Sequence, residues 1–197
     1  MDVGGLAEVE AKLELVRRVE AEHRFGVVIG EPRELEPIPG IPEGVIEVFS
    51  LFDRLRGDGF VFRRPAEIES PEAWEARDVN PHCPLGSPLV IGSELGGPDK
   101  VEAAPVNLDL DDGSVYYCDP DEYVFAYKNV EVEEVEIEEF APGIVTFFDE
   151  FVLGERYPRL VEVVLGSAPV TRRDRKGRPR DAWMRLLLQS GLVPASE

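Results

Sequence analysis

The run from Val106 to Cys118 constrains the fold of this chain more than any other. Val106, Leu108 and Leu110 alternate with Asn107, Asp109 and Asp111; after Asp112-Gly113, Val115 and Tyr117 alternate with Tyr116 and Cys118. Two such alternations hinged on Asp-Gly predict a β-hairpin, because that pair supplies the two positive-φ positions of a type I′ turn. A two-residue turn sets Leu110 opposite Val115 and Leu108 opposite Tyr117 on a buried side. Asp109, Asp111 and Tyr116 then share the other face, and the chain is committed to antiparallel pairing.

The same region is acidic. Six carboxylates fall between Val106 and Glu122: Asp109, Asp111, Asp112, Asp119, Asp121 and Glu122. Calcium does not suit them. Asn107, Asp109 and Asp111 match ligand positions 1, 3 and 5 of a calcium loop, but Asp112 stands where glycine is required and Cys118 replaces the closing glutamate. Asp109 and Asp111, two apart on one strand face, would lie about 7 Å from each other and with Asp119 would admit a water or a metal. The sequence sets no His, Lys or nucleophile beside them. His82-Cys83 lies in a proline-rich loop, where adjacent residues rarely present both side chains to one reacting atom. Cys83 and Cys118, with His23 and His82, make neither a disulfide framework nor a zinc spacing. The expectation is a non-enzymatic chain with no catalytic residue, metal or cofactor.

Charge gives a positive indication. The formal net charge is −19, which disfavours nucleic acid and anionic membranes and favours basic proteins. From Glu94 to Glu155 eighteen acids face only Lys100 and Lys128, whereas Thr171 to Arg185 carries seven basic residues against Asp174 and Asp181. A salt-adapted proteome would account for general acidity but not for that basic segment. No apolar run is long enough to span a membrane, and MDVGGLAEVE has neither a basic start nor an apolar stretch of the secretory kind, so a cytoplasmic location is expected.

Leu6, Val9, Leu13 and Val16 recur at helical spacing and predict an opening amphipathic helix that ends near Phe25-Gly26. Val45, Phe49, Phe52 and Leu55 predict a second helix with Pro42 in its first turn, and FVF at 60 to 62 a short strand. The excursion 65 to 88 holds a short helix around Trp74, capped by Ser70 with Pro71 following. PLVIGSELGG gives a strand, YVFAYKN at 123 to 129 another, and a slip in alternation at Glu133-Glu134 predicts a β-bulge or bend. After Pro142 the period becomes helical through Ile144, Phe147, Phe148 and Phe151, and a further helix starts at Tyr157-Pro158. GSAPVTRRDRKGRPR reads as a linker, and WMRLLLQSG as a short terminal helix with Trp183, Leu186 and Leu187 on its apolar side. The order of elements predicts α+β, an antiparallel sheet flanked by N-terminal and C-terminal helices. A single domain over 1 to 166 would be followed by a basic linker and short helix over 167 to 197.

Four stretches, IPEGVIEVFSLF, PLVIGSELGG, VNLDLDDGSVYY and FAPGIVTFFDEFV, occur in the order in which the SUKH superfamily has its proline-initiated helix, strand into a glycine pair, strand-turn-strand and phenylalanine-rich final helix. The chain resembles that superfamily over roughly residues 38 to 155. The resemblance implies a bacterial protein that binds another protein, most often an immunity protein that covers the active surface of a toxin. A basic nuclease or deaminase toxin would suit the acidic surface, with Asp109, Asp111, Tyr116, Asp119, Asp121 and Glu122 as contacts. An intracellular adaptor on the same fold is the other expectation, and the tail is a candidate for pairing two subunits.

Overall fold

A computed structural model describes residues 3–42, 44–77, 79, 88–96, 101–118 and 137–194. The protein is α+β. Among the described residues seven strands, β1 (Val28–Ile29), β2 (Arg54–Arg56), β3 (Phe60–Arg63), β4 (Leu89–Gly96), β5 (Val101–Leu108), β6 (Val115–Cys118) and β7 (Ile137–Ala141), pair in sequence order, each antiparallel to the next. The strand expected at 123 to 129 and the slip at Glu133-Glu134 lie outside the described residues. Within them, register shifts fall between Val90 and Gly92, between Ser93 and Leu95, and between Val115 and Tyr116.

The helices are α1 (Val3–His23), α2 (Val45–Ser50), α3 (Pro71–Glu75), α4 (Ile144–Thr146, continued as a π-helix over Phe147–Val152), α5 (Tyr157–Leu165), α6 (Ala168–Thr171) and α7 (Ala182–Gln189). Their apolar sides meet the sheet face that carries Phe60, Phe62, Ile91, Val106, Leu108, Val115 and Tyr117. Phe148 lies at the centre, 5.2 Å from Phe52, 5.6 Å from Phe62 and 5.9 Å from Phe49 between ring centroids. Offset and edge contacts of this kind add to the burial of each ring. The π-turn widens the helix by one residue, so Phe147, Phe148, Phe151 and Val152 are all buried.

Three local expectations need correction. The second helix stops at Ser50, and Leu55 is a strand residue. The buried Arg64 donates from Nε and Nη2 to Phe49 O at 3.0 and 2.7 Å and from Nη2 to Phe52 O at 3.2 Å, satisfying carbonyls at the end of α2 while β2 pairs with β3. The hairpin register is displaced by two residues: Leu108 pairs with Val115 and Val106 with Tyr117, leaving Asp109 to Ser114 as a longer loop. The segment read as a linker contains a helical turn and a hairpin closed by the Arg173–Pro179 bridge.

The terminal helix shares the main core. Trp183, Leu186 and Leu187 are buried, Trp183 Nε1 donates to Val152 O at 2.8 Å, and α7 touches α1. The change of composition at 166/167 therefore does not separate two cores. The Ser70 cap is as expected, its Oγ accepting from Ala73 N at 3.2 Å. No described helix is long and apolar enough to cross a membrane.

Candidate functional site

Between β5 and β6 the chain spends its carboxylates partly on its own backbone. Asp109 N donates to Ser114 O at 2.8 Å and Gly113 N to Asp109 O at 3.1 Å, closing the loop. Asp109 Oδ1 accepts from Asp111 N at 2.7 Å, and Asp112 Oδ1 accepts from Ser114 N at 2.8 Å. These are side-chain mimics of backbone turns, the local role for which aspartate is suited. The hydrogen bonds from Ser114, its backbone first and its hydroxyl second, hold the Asp112 carboxyl below the ordinary range. Gly113 has φ +83°, the positive value expected of it, and Pro42 lies next to it.

Asp111 is exposed, and its carboxylate is free of turn duty. Asp109 is half-buried. The separation expected of two carboxylates on one strand face does not apply, because both residues have left the strand and one oxygen of Asp109 is occupied by the amide of Asp111. Tyr116 pairs with Asn107 on one side and Glu139 on the other; it is 5% exposed, so its ring is not displayed on the surface. Asp119, Asp121, Glu122 and Cys83 lie outside the described residues. Cys118 is buried. Among the described residues no group of three His, Cys, Asp or Glu side chains is placed to hold a metal ion.

A second polar cluster escaped the sequence reading. Asp181 is 3% exposed; its Oδ1 accepts from Met184 N at 2.6 Å and from the buried Tyr157 hydroxyl at 3.1 Å, whereas Oδ2 has no hydrogen-bond partner. Asp58 Oδ2 accepts from Ala182 N at 2.8 Å, so two carboxylates meet the start of α7. Burial pushes the Asp181 carboxyl up against the opposing hydrogen bonds from Met184 and Tyr157, with Asp58 adding to the rise. Burial, followed by the charge of Asp181, pushes the Tyr157 phenol well above its usual value. The adjoining cavity, lined by Leu55, Gly57, Phe60, Phe62, Tyr157 and Trp183, measures about 10 Å³. That is room for about one water, not for a substrate. The cluster holds a helix in place. Only the aspartate before AWMRLLL signalled it in the sequence, as an N-cap, because Tyr157 and Asp58 come from distant positions.

No protein-family model, curated protein or solved structure matches the chain.

Proposed function

We propose that this protein is a non-enzymatic binding module whose acidic surface takes a basic protein, in the leading reading a toxin of the nuclease or deaminase type that it neutralises by occlusion. The observation that carries the proposal is the unequal use of charge. The chain has 40 acids against 21 lysines and arginines. Several of those cations are consumed internally: Lys12 pairs with Asp149 at 2.6 Å, Arg33 with Glu69 at 2.7 Å, Arg156 with Glu150 at 3.0 Å, and Arg159 with Glu138. Arg17 and Arg64 donate to backbone carbonyls. The surplus on the surface is negative, and Asp111 at the hairpin tip belongs to it.

Such a surface accelerates encounter with a basic partner and discriminates against acidic ones, while affinity comes from buried contacts at the centre of the interface. The order of motifs resembling that of the SUKH superfamily supports a protein-binding role, which the immunity reading and the adaptor reading have in common. Asp111→Lys is expected to slow association with the captured basic partner and flatten its salt dependence, at unchanged thermal stability; stopped-flow mixing across a salt series measures it. An association rate unaffected at low salt would remove the hairpin tip from the mechanism. Neutralisation is checked by assaying the captured partner with and without an equimolar amount of this chain. Full partner activity in the complex would replace occlusion by the adaptor reading.

A further inference from the structure

Residues 172 to 180, RRDRKGRPR, contain six cations and one acid on a chain whose net charge is −19. A flexible basic linker would collapse onto the nearest acids. This segment instead is built as a finger. Arg173 and Pro179 form a bridge, Asp174 N donates to Arg178 O at 2.8 Å, Arg180 N to Arg172 O at 3.2 Å, and Gly177, at φ +76°, closes the tip on Asp174 O.

Asp174 holds the tip together. Its Oδ1 accepts from the amides of Lys176 and Arg178 at 2.7 and 3.0 Å, and its Oδ2 from Nε and Nη2 of Arg178 at 3.0 and 2.8 Å. These bonds, the Arg178 amide first, bring the Asp174 carboxyl down to about 2. The base is fixed as well: Pro179 is buried, and Arg185 Nη1 donates to the carbonyls of Pro179 and Arg180 at 2.9 and 2.6 Å.

What remains is four exposed side chains, Arg172, Arg175, Lys176 and Arg180, that make no hydrogen bond or ion pair among the described residues. Glu138, on β7, is taken by Arg159. We infer that this finger is a docking element for an acidic polypeptide, which meets the four free cations with its carboxylates.

A carboxylate partner is favoured over nucleic acid on two counts. The finger has no aromatic side chain on which a base could stack. Duplex DNA carries a charge about every 1.7 Å along its axis, and a body this acidic repels so dense a polyanion as it approaches. A short acidic segment can reach the finger and stay clear of the body. The fixed geometry also suits guanidinium–carboxylate pairing, of which Arg178 and Asp174 already provide an example within the finger. The inference is independent of the basic partner proposed above; if both hold, the protein joins two partners of opposite charge.

The test measures binding of a labelled ten-residue glutamate peptide to the full chain at low salt, by fluorescence anisotropy, beside a single-stranded oligonucleotide of equal charge. The expected result is peptide binding that weakens about tenfold or more in R172A/R175A/K176A/R180A, with weaker oligonucleotide binding throughout. The four side chains make no internal bonds, so the variant should keep the wild-type melting temperature. Asp111→Lys should leave peptide affinity no weaker, which separates this reading from the acidic-surface one. Equal peptide affinity in wild type and variant, or no peptide binding, would overturn the inference, as would tighter binding of the oligonucleotide. Sedimentation that shows a wild-type dimer reduced to monomer in the variant would also overturn it, by assigning the finger to a second copy of the chain.

Discussion

Asp181 opens α7 with one carboxylate oxygen engaged twice and the other without a hydrogen bond among the described residues. Leaving a buried polar atom unpaired costs about 1 to 3 kcal/mol, so the ionised residue both caps the helix and weighs against the fold. Its carboxyl is raised by burial and by the neighbouring Asp58, and lowered by Met184 N, the Tyr157 hydroxyl and the charge of Arg185, with burial the largest effect. The sign follows from linkage. A folded-state value above the unfolded one gives stability that is fully present below the unfolded carboxylate's pKa of about 3.9, and that is lost as pH rises through the folded value. Asp181→Asn keeps an oxygen for the cap and removes the ionisation. It is expected to flatten the dependence of stability on pH above the unfolded carboxylate's pKa without lowering stability at neutral pH, whereas Asp181→Ala should cost about 0.5 to 2 kcal/mol through the lost cap. Urea melts of the three proteins across that range provide the comparison.

Among the elements, α7 shows the difference between reading a local pattern and reading its place. The spacing of Trp183, Leu186 and Leu187 announced an amphipathic helix, and Ala182–Gln189 is one. The surface that would receive it was not written locally, because it is assembled from α1, the carbonyl of Val152 and the turn at Asp58. Trp183→Ala removes a buried ring and its hydrogen bond, and is expected to cost about 3 to 5 kcal/mol in chemical denaturation. Removing α7 altogether should unfold the domain, as circular dichroism of a chain ending at Pro179 would show. The hairpin gives the complementary lesson. Asp112-Gly113 marked a turn correctly, but the bonds that the Asp109 and Asp112 side chains accept from Asp111 N and Ser114 N favour a six-residue loop over a two-residue one, and such competition is not visible in an apolar/polar alternation. The helical spacing of Leu55 misleads for a similar reason: the buried Arg64 that ends α2 comes from beyond the β2–β3 hairpin, just after β3.

At the scale of the whole molecule, class and layering were legible because hairpin, glycine and period signals follow one another along the chain, and the sheet keeps that order from β1 to β7. The acidic balance and the basic segment beside it were legible too; the bracing of that segment into a finger was not, since RRDRKGRPR has no periodicity to betray its internal bonds. A body so negative repels itself. Added salt is therefore expected to raise the melting temperature from low ionic strength up to about 0.15 M, where the screening length has fallen to about 8 Å, and a calorimetric salt series would register the rise. The contact between α1 and α7 has a consequence for biosynthesis. The first helix emerges from the ribosome with part of its binding site not yet made, and the sheet can form neighbour by neighbour behind it, but the core closes only when Ala182–Gln189 is released. Until then the nascent chain exposes the side of α1 that α7 will cover, which makes the release of α7 the event that completes the domain.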